Sequence, residues 1–217
     1  MKKVLLSFAI VLMFASMGSA APMIAFDDVT AQGSFREWSP GGSVLHNSWG
    51  RVTDGYFPPQ WTYWLQDTTH FGREASQGYL TFDLGGLFSV EDVTLSLDNN
   101  DTYYVDYSLD NLAWARLFMV HSSYGPNING TDIFSTVAGH SQYDNRINFG
   151  AVDAQYLRIW ADYGQGDGAY SIGEFQAFGT ALAQEDPDPE AVPEPSTMLL
   201  LGAGLAGLAL MRRKTRQ

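Results

Sequence analysis

Tyr79-Leu80-Thr81-Phe82-Asp83-Leu84 is the stretch whose reading decides the fold. Leu80, Phe82 and Leu84 alternate with more polar neighbours, so an extended chain would carry all three on one face. Val93-Thr94-Leu95-Ser96-Leu97 repeats the alternation. Tyr103-Tyr104-Val105-Asp106-Tyr107-Ser108, Tyr156-Leu157-Arg158-Ile159-Trp160 and Glu174-Phe175-Gln176-Ala177-Phe178-Gly179 give three further extended runs. Turn-forming residues lie between them: Gly85-Gly86, Asp98-Asn99-Asn100-Asp101, Asp110-Asn111 and Gly164 to Gly168. Short alternating runs punctuated in this way predict an all-β domain, a sandwich or jelly roll. There is no long apolar stripe of helical period and no internal repeat in this part of the chain.

These runs resemble the discoidin, or F5/8 type C, domains, which are galactose-binding-like jelly rolls. Leu80-Thr81-Phe82-Asp83-Leu84-Gly85 is similar to a characteristic strand of that family. Tyr107-Ser108-Leu109-Asp110-Asn111-Leu112-Ala113-Trp114 resembles its hairpin, with Asn111 where the family carries glycine. Asparagine suits the position because it visits the left-handed region. Gln155 to Ile159 and Ile172 to Gly179 resemble two later strands. The likeness spans about 80–180. Residues 22–78 match poorly, apart from Val52-Thr53-Asp54-Gly55. The family's terminal cysteines are missing, since the chain has none.

Both ends read as something other than the fold. Lys2 and Lys3 precede an apolar run from Val4 to Phe14, and small residues follow to Ala21. Charge, apolar stretch and small-residue cleavage site, in that order, predict a secretory signal peptide over 1–21. The domain is expected over 22–182. An acidic, proline-rich linker, 183–192, cannot bury apolar area and should be extended. Pro193-Glu194-Pro195 comes next, then an uncharged run from Thr197 to Met211, then Arg212-Arg213-Lys214-Thr215-Arg216. The run predicts a slightly short transmembrane helix, 197–211, whose basic flank stays cytoplasmic. This ordered trio, at 193–217, resembles the PEP-CTERM sorting signal. The resemblance implies an exosortase that reads Pro193, Glu194 and Pro195 as substrate residues and removes the helix. It implies an exported protein with a transient stage in the inner membrane, destined for the cell surface, outer membrane or medium.

The charge distribution narrows the function. The chain carries a formal net charge of −12, and between Pro22 and Leu182 it has no lysine and six arginines. Without basic patches such a domain is a poor binder of nucleic acid. The lack of cysteine excludes thiol chemistry, thiolate metal sites and disulfides. The four histidines show no metal-binding spacing, and there is no nucleophile elbow or phosphate loop. The expectation is therefore a protein that is not an enzyme.

Two candidate sites remain. Trp49 to Arg73 is dense in aromatic residues among prolines and glycines. Sugars stack on aromatic rings while a few polar groups orient them, so Trp61, Tyr63, Trp64 and Arg73 are the candidate carbohydrate ligands. The plainer alternative is that these rings plug the ends of the sandwich. The family resemblance implies a structural calcium at Asp54 and Glu174. The residues alone equally allow an Asx-turn at Asp54 and a Glu174 bonded to loop amides. The sequence points to a noncatalytic matrix or envelope protein that binds carbohydrate or exopolysaccharide. It does not separate that from a structural or adhesive protein with no small ligand.

Overall fold

The structure is a computed structural model. It describes residues 20–39, 42–45, 49–72, 78–98, 100–125, 130–163 and 167–183, together with Ala203 and Leu205. Residues 1–19 of the signal peptide expected at 1–21, residues 184–192 of the linker expected at 183–192, and the Pro193-Glu194-Pro195 motif lie outside these residues. So does the helix expected at 197–211, except for Ala203 and Leu205, which are helical. Among the described residues no helix is long and apolar enough to cross a membrane. The chain divides into two compact units, Met1–Leu182 and Ala183–Gln217.

Among the described residues the first unit is built from ten strands. They are β1 (Asp28–Gln32), β2 (Phe35–Ser39), β3 (Gly42–Leu45), β4 (Thr69–Gly72), β5 (Tyr79–Asp98), β6 (Tyr103–Ser108), β7 (Ala115–Val120), β8 (Thr131–Ser135), β9 (Val152–Ala161) and β10 (Ala169–Ala181). Every pairing is antiparallel. Helical structure in this unit, among the described residues, is limited to two single 3₁₀ turns, Gly50–Val52 and Asn145–Ile147.

β5 organises the sandwich. Its first part, Tyr79 to Asp83, pairs with β1 and β9. Its second part, from Val93 onward, pairs with β10 and β8. The sequence predicts two strands separated by a turn at Gly85-Gly86; the structure corrects this to one strand of 20 residues. Gly85 takes φ +73°, open to glycine without strain, and its N–H donates to the Asp83 carboxylate at 2.9 Å. The chain kinks there, the β9 register shifts between Asp83 and Phe88, and the ladder resumes. A glycine pair marks a bulge here rather than a reversal.

The two layers meet through the predicted apolar faces. Leu80, Phe82 and Leu84 are buried with Val93, Leu95 and Leu97. Phe82 packs on Phe175 with ring centroids 4.6 Å apart, and Tyr103 meets Tyr170 edge-on at 6.3 Å. Tyr103 is fully buried, and its hydroxyl accepts the Ser171 N–H at 2.9 Å. Each large side chain so buried contributes roughly 1.5–3 kcal/mol. The hairpin from β6 to β7 turns at Asp110, whose carboxylate accepts the N–H of Leu112 and Ala113. Asn111 sits at φ +59°, the left-handed conformation its sequence position requires.

Candidate functional site

The site begins with the segment between the first 3₁₀ turn and β4. Buried Val52 anchors the turn. Pro58 then lies against Gly173 of β10, where a Cβ would come within 2.8 Å of the proline ring. The Trp61 N–H donates to the Thr131 carbonyl at 2.7 Å, and the Thr131 N–H returns a bond to the Thr62 carbonyl at 2.9 Å. Gly130 allows this close approach, since a Cβ there would stand 2.8 Å from the Thr62 oxygen. The segment is thus a strap laid across β10 and fastened to the start of β8. Arg51 and Asp67, near its two ends, form an ion pair at 3.3 Å.

This fastening decides which aromatic rings face solvent. Trp61 is held at φ +68°, a conformation unusual for a bulky residue, and is 62% exposed. Tyr63 is 56% exposed, and Tyr56 is also exposed. Trp64 is half-buried and stands edge-on to the His70 ring at 5.6 Å. Trp49 is turned inward and packs edge-on to Phe35. Of the four sequence candidates, Trp61 and Tyr63 are exposed on the strap, Trp64 supports it from beneath, and Arg73 lies outside the described residues. Trp61 therefore departs from the plugging alternative, whereas Trp49 follows it.

A polar cleft of about 170 Å³ adjoins the strap. Gln60 forms one wall and donates to the Gln142 side chain at 2.8 Å. Tyr124, Ile133, Tyr143 and Arg146 also line it, with Asp132 and Asp144 among its other walls. Arg146 stacks over the Tyr124 ring at 4.3 Å and is clamped by Asp144, which raises the guanidinium's pKa and lowers the carboxylate's. Sequence reading missed Gln60, Gln142, Tyr143 and Arg146. They converge only through the strap's attachment to β8, and no local spacing signals them.

Asp54 and Glu174 do come together. Both line a larger cleft of about 600 Å³, with Phe26, Asp27, Trp49 and Gln176 among its walls. Glu174 is 1% exposed; its Oε1 accepts the Gly55 N–H at 3.0 Å and the Gln176 amide at 3.2 Å. Asp54 Oδ1 accepts the Tyr56 N–H at 2.8 Å, an Asx-turn. These are the bonds of the metal-free alternative. Glu174 Oε2, however, is buried with no hydrogen-bond partner among the described residues. Burial pushes the Glu174 carboxyl up to about 7, with the Asp54 charge adding to the shift. An unpartnered buried carboxylate oxygen facing a second carboxylate suits a hard cation. Among the described residues no group of three acids or histidines is placed to hold a metal ion, so a calcium ion would take its other donors from backbone carbonyls and water.

His70, on β4, is drawn down to about 4 by burial and by the nearby Arg36 charge. It is neutral at physiological pH and serves as the support for Trp64.

A PEP-CTERM protein-sorting motif occupies residues 191–214. A tail of this kind marks an exported protein sorted through the membrane. No curated protein matches the chain. Among solved structures, it is similar to the CBM32 domain of AlyQ in complex with 4,5-unsaturated mannuronic acid, at 18% identity and TM-score 0.45, covering 72% of this chain and 98% of that one. It is also similar to the C-terminal domain of a chitobiase from Bacteroides fragilis, at 16% identity and TM-score 0.47, covering 75% and 100%. A pectin-binding carbohydrate-binding module is similar at 16% identity and TM-score 0.39, covering 72% and 91%.

Proposed function

We propose that this exported protein is a noncatalytic binder of extracellular carbohydrate, with Trp61 and Tyr63 as the stacking surface. The observation that carries the reading is Trp61, an indole held at φ +68° by Thr131 and left largely in solvent. Backbone strain and an exposed aromatic at one residue favour a ligand role over a core role. The adjoining cleft offers the Gln60 and Gln142 amides, the Tyr143 hydroxyl and the Arg146 guanidinium for hydroxyl groups of a sugar. Trp64 holds the strap, and Arg73 is proposed to reach the same ligand.

The sorting motif fits this role. An exosortase would read Pro193, Glu194 and Pro195 and remove the apolar helix, so that membrane attachment is transient. The protein would then act at the cell surface or in the matrix. A calcium ion at Asp54 and Glu174 would neutralise the buried carboxylate and fix the start of the strap. Its role is structural.

The test is a glycan array and a pull-down on the host's own exopolysaccharide, using the exported protein. Binding that is weakened by Trp61→Ala supports the proposal. Absence of binding to every glycan, and to the native polysaccharide, contradicts it.

A further inference from the structure

A second surface, away from the strap, has the chemistry of a binding face. Outward side chains of β5, β9, β6 and β7 fall into register across neighbouring strands. Tyr79, Trp160, Tyr104 and Met119 form one row. Thr81, Arg158, Asp106 and Arg116 form the next. Trp160 and Tyr104 pack at 4.5 Å, Arg116 lies 3.8 Å above the Tyr104 ring, and Arg158 lies 4.2 Å from the Trp114 ring.

Asp106 is the hub. Its Oδ1 accepts from Arg116 Nε at 2.6 Å, and its Oδ2 accepts from Arg158 Nη2 at 2.9 Å and Trp160 Nε1 at 2.7 Å. Two guanidiniums therefore share one carboxylate, which is almost fully buried while the Arg116 side chain is 41% exposed. Within this cluster the two guanidiniums outnumber the Asp106 carboxylate by one. Arg158 Nε has no hydrogen-bond partner among the described residues. The other acids beside this row are Asp162, which takes the Tyr104 hydroxyl bond at 3.2 Å, and Asp83, about four strand positions from the aromatic row. In a domain with six arginines and no lysine, two of the arginines stand together here.

We propose that this face binds an acidic polysaccharide. One carboxylate of a uronate-bearing chain completes the charge pairing of Arg116 and Arg158, and its sugar rings lie against Tyr79 and Trp160, beside the Tyr104 ring that Arg116 covers. Planar guanidinium forks suit carboxylate recognition, and half-exposed rings suit pyranose faces. The site is independent of the strap, so either can fail without the other.

The experiment is affinity electrophoresis of the exported protein in gels containing polygalacturonate or the same polymer after carboxyl reduction. Expected is retardation by the uronate polymer alone, weakened at least tenfold by Arg116→Gln and by Met119→Glu and retained in Trp61→Ala. Met119→Glu places a negative charge beside Tyr104 while leaving the Asp106 bonds intact, so it carries the test if Arg116→Gln loosens the fold. Three results would overturn the proposal. They are no retardation, equal retardation by the reduced polymer, or retardation unchanged in both variants. A dimer dispersed by Met119→Glu, with no retardation, would overturn it in favour of a second copy of this chain.

Discussion

Trp61 shows how one residue can carry a cost to the fold and a benefit to function. A bulky side chain in the left-handed region is destabilising by about 1 kcal/mol. Glycine at this position relieves the strain but loosens the unfolded chain by a similar amount. Trp61→Gly should therefore leave the thermal midpoint unchanged to within about 4 °C, roughly 1 kcal/mol for a domain of this size, while glycan binding is lost. Calorimetry beside a binding assay checks both halves. Trp64→Ala should behave differently, losing stability and binding together, because Trp64 packs on His70.

Glu174 and His70 titrate against each other. Glu174 is raised from 4.5 to about 7. Between those values the folded state holds a proton that the unfolded state has lost, so stability falls as pH rises. His70 is lowered from 6.5 to about 4. There the unfolded state holds the extra proton, so stability is present above 6.5 and lost as pH falls. The two slopes oppose each other between about pH 4.5 and 6.5, and this pair leaves the parent's stability nearly flat there. Glu174→Gln removes one slope. The variant's stability should then rise with pH over that window, by at most about 2–3 kcal/mol. A denaturation series from pH 4 to 7.5 that finds the variant as flat as the parent would refute the assignment. Calcium gives a second handle at pH 7.5. If the ion sits at Asp54 and Glu174, millimolar calcium should raise the parent's midpoint and leave the Glu174→Gln midpoint nearly unmoved, with chelated protein as reference.

At the scale of elements, the strap depends on missing Cβ atoms. A methyl group at Gly173 would stand 2.8 Å from the Pro58 ring and 2.9 Å from Ser96 Oγ. Gly173→Ala should destabilise the domain by about 1–3 kcal/mol and weaken glycan binding, because Pro58 must lift and take Trp61 with it. Unchanged stability in urea denaturation would show that the strap is not seated as described. β5, β6, β9 and β10 were legible because alternation reports burial directly, as at Leu80, Phe82 and Leu84, whereas β7 and β8 were not read from the sequence. The kink in β5 was not, because Gly85-Gly86 has the same composition whether the chain reverses or bulges. β1 to β4 were not legible either. They are only four or five residues long, and what defines them is pairing with distant partners, such as β4 with β10. The aromatic density of the strap was visible, but its division into exposed Trp61 and inward Trp49 depends on where Thr131 and Phe35 lie. Gln142 and Arg146 could not be found from sequence at all, since a loop more than 80 residues away brings them to Gln60.

The whole molecule combines an acidic, lysine-free β domain with a sorting tail, and the two parts suit one destination. Acidity favours solubility and keeps the domain away from anionic lipid, while the motif at 191–214 marks the chain for sorting at the membrane. Mass spectrometry of the protein recovered from the host's envelope and medium should find a C-terminus near Pro193-Glu194-Pro195, without the apolar run. Recovery of chains that retain Arg212 to Arg216 would mean that the tail is a permanent anchor.

The central claim is that the strap recognises carbohydrate through Trp61. The most direct measurement is a calorimetric titration of the exported protein with soluble fragments of the host's own exopolysaccharide, run in parallel on Trp61→Ala. The account predicts saturable binding for the parent and at least a tenfold loss for the variant, about 1.4 kcal/mol or more, at an unchanged fold. Equal affinity of the two proteins, or no heat with either, would contradict it.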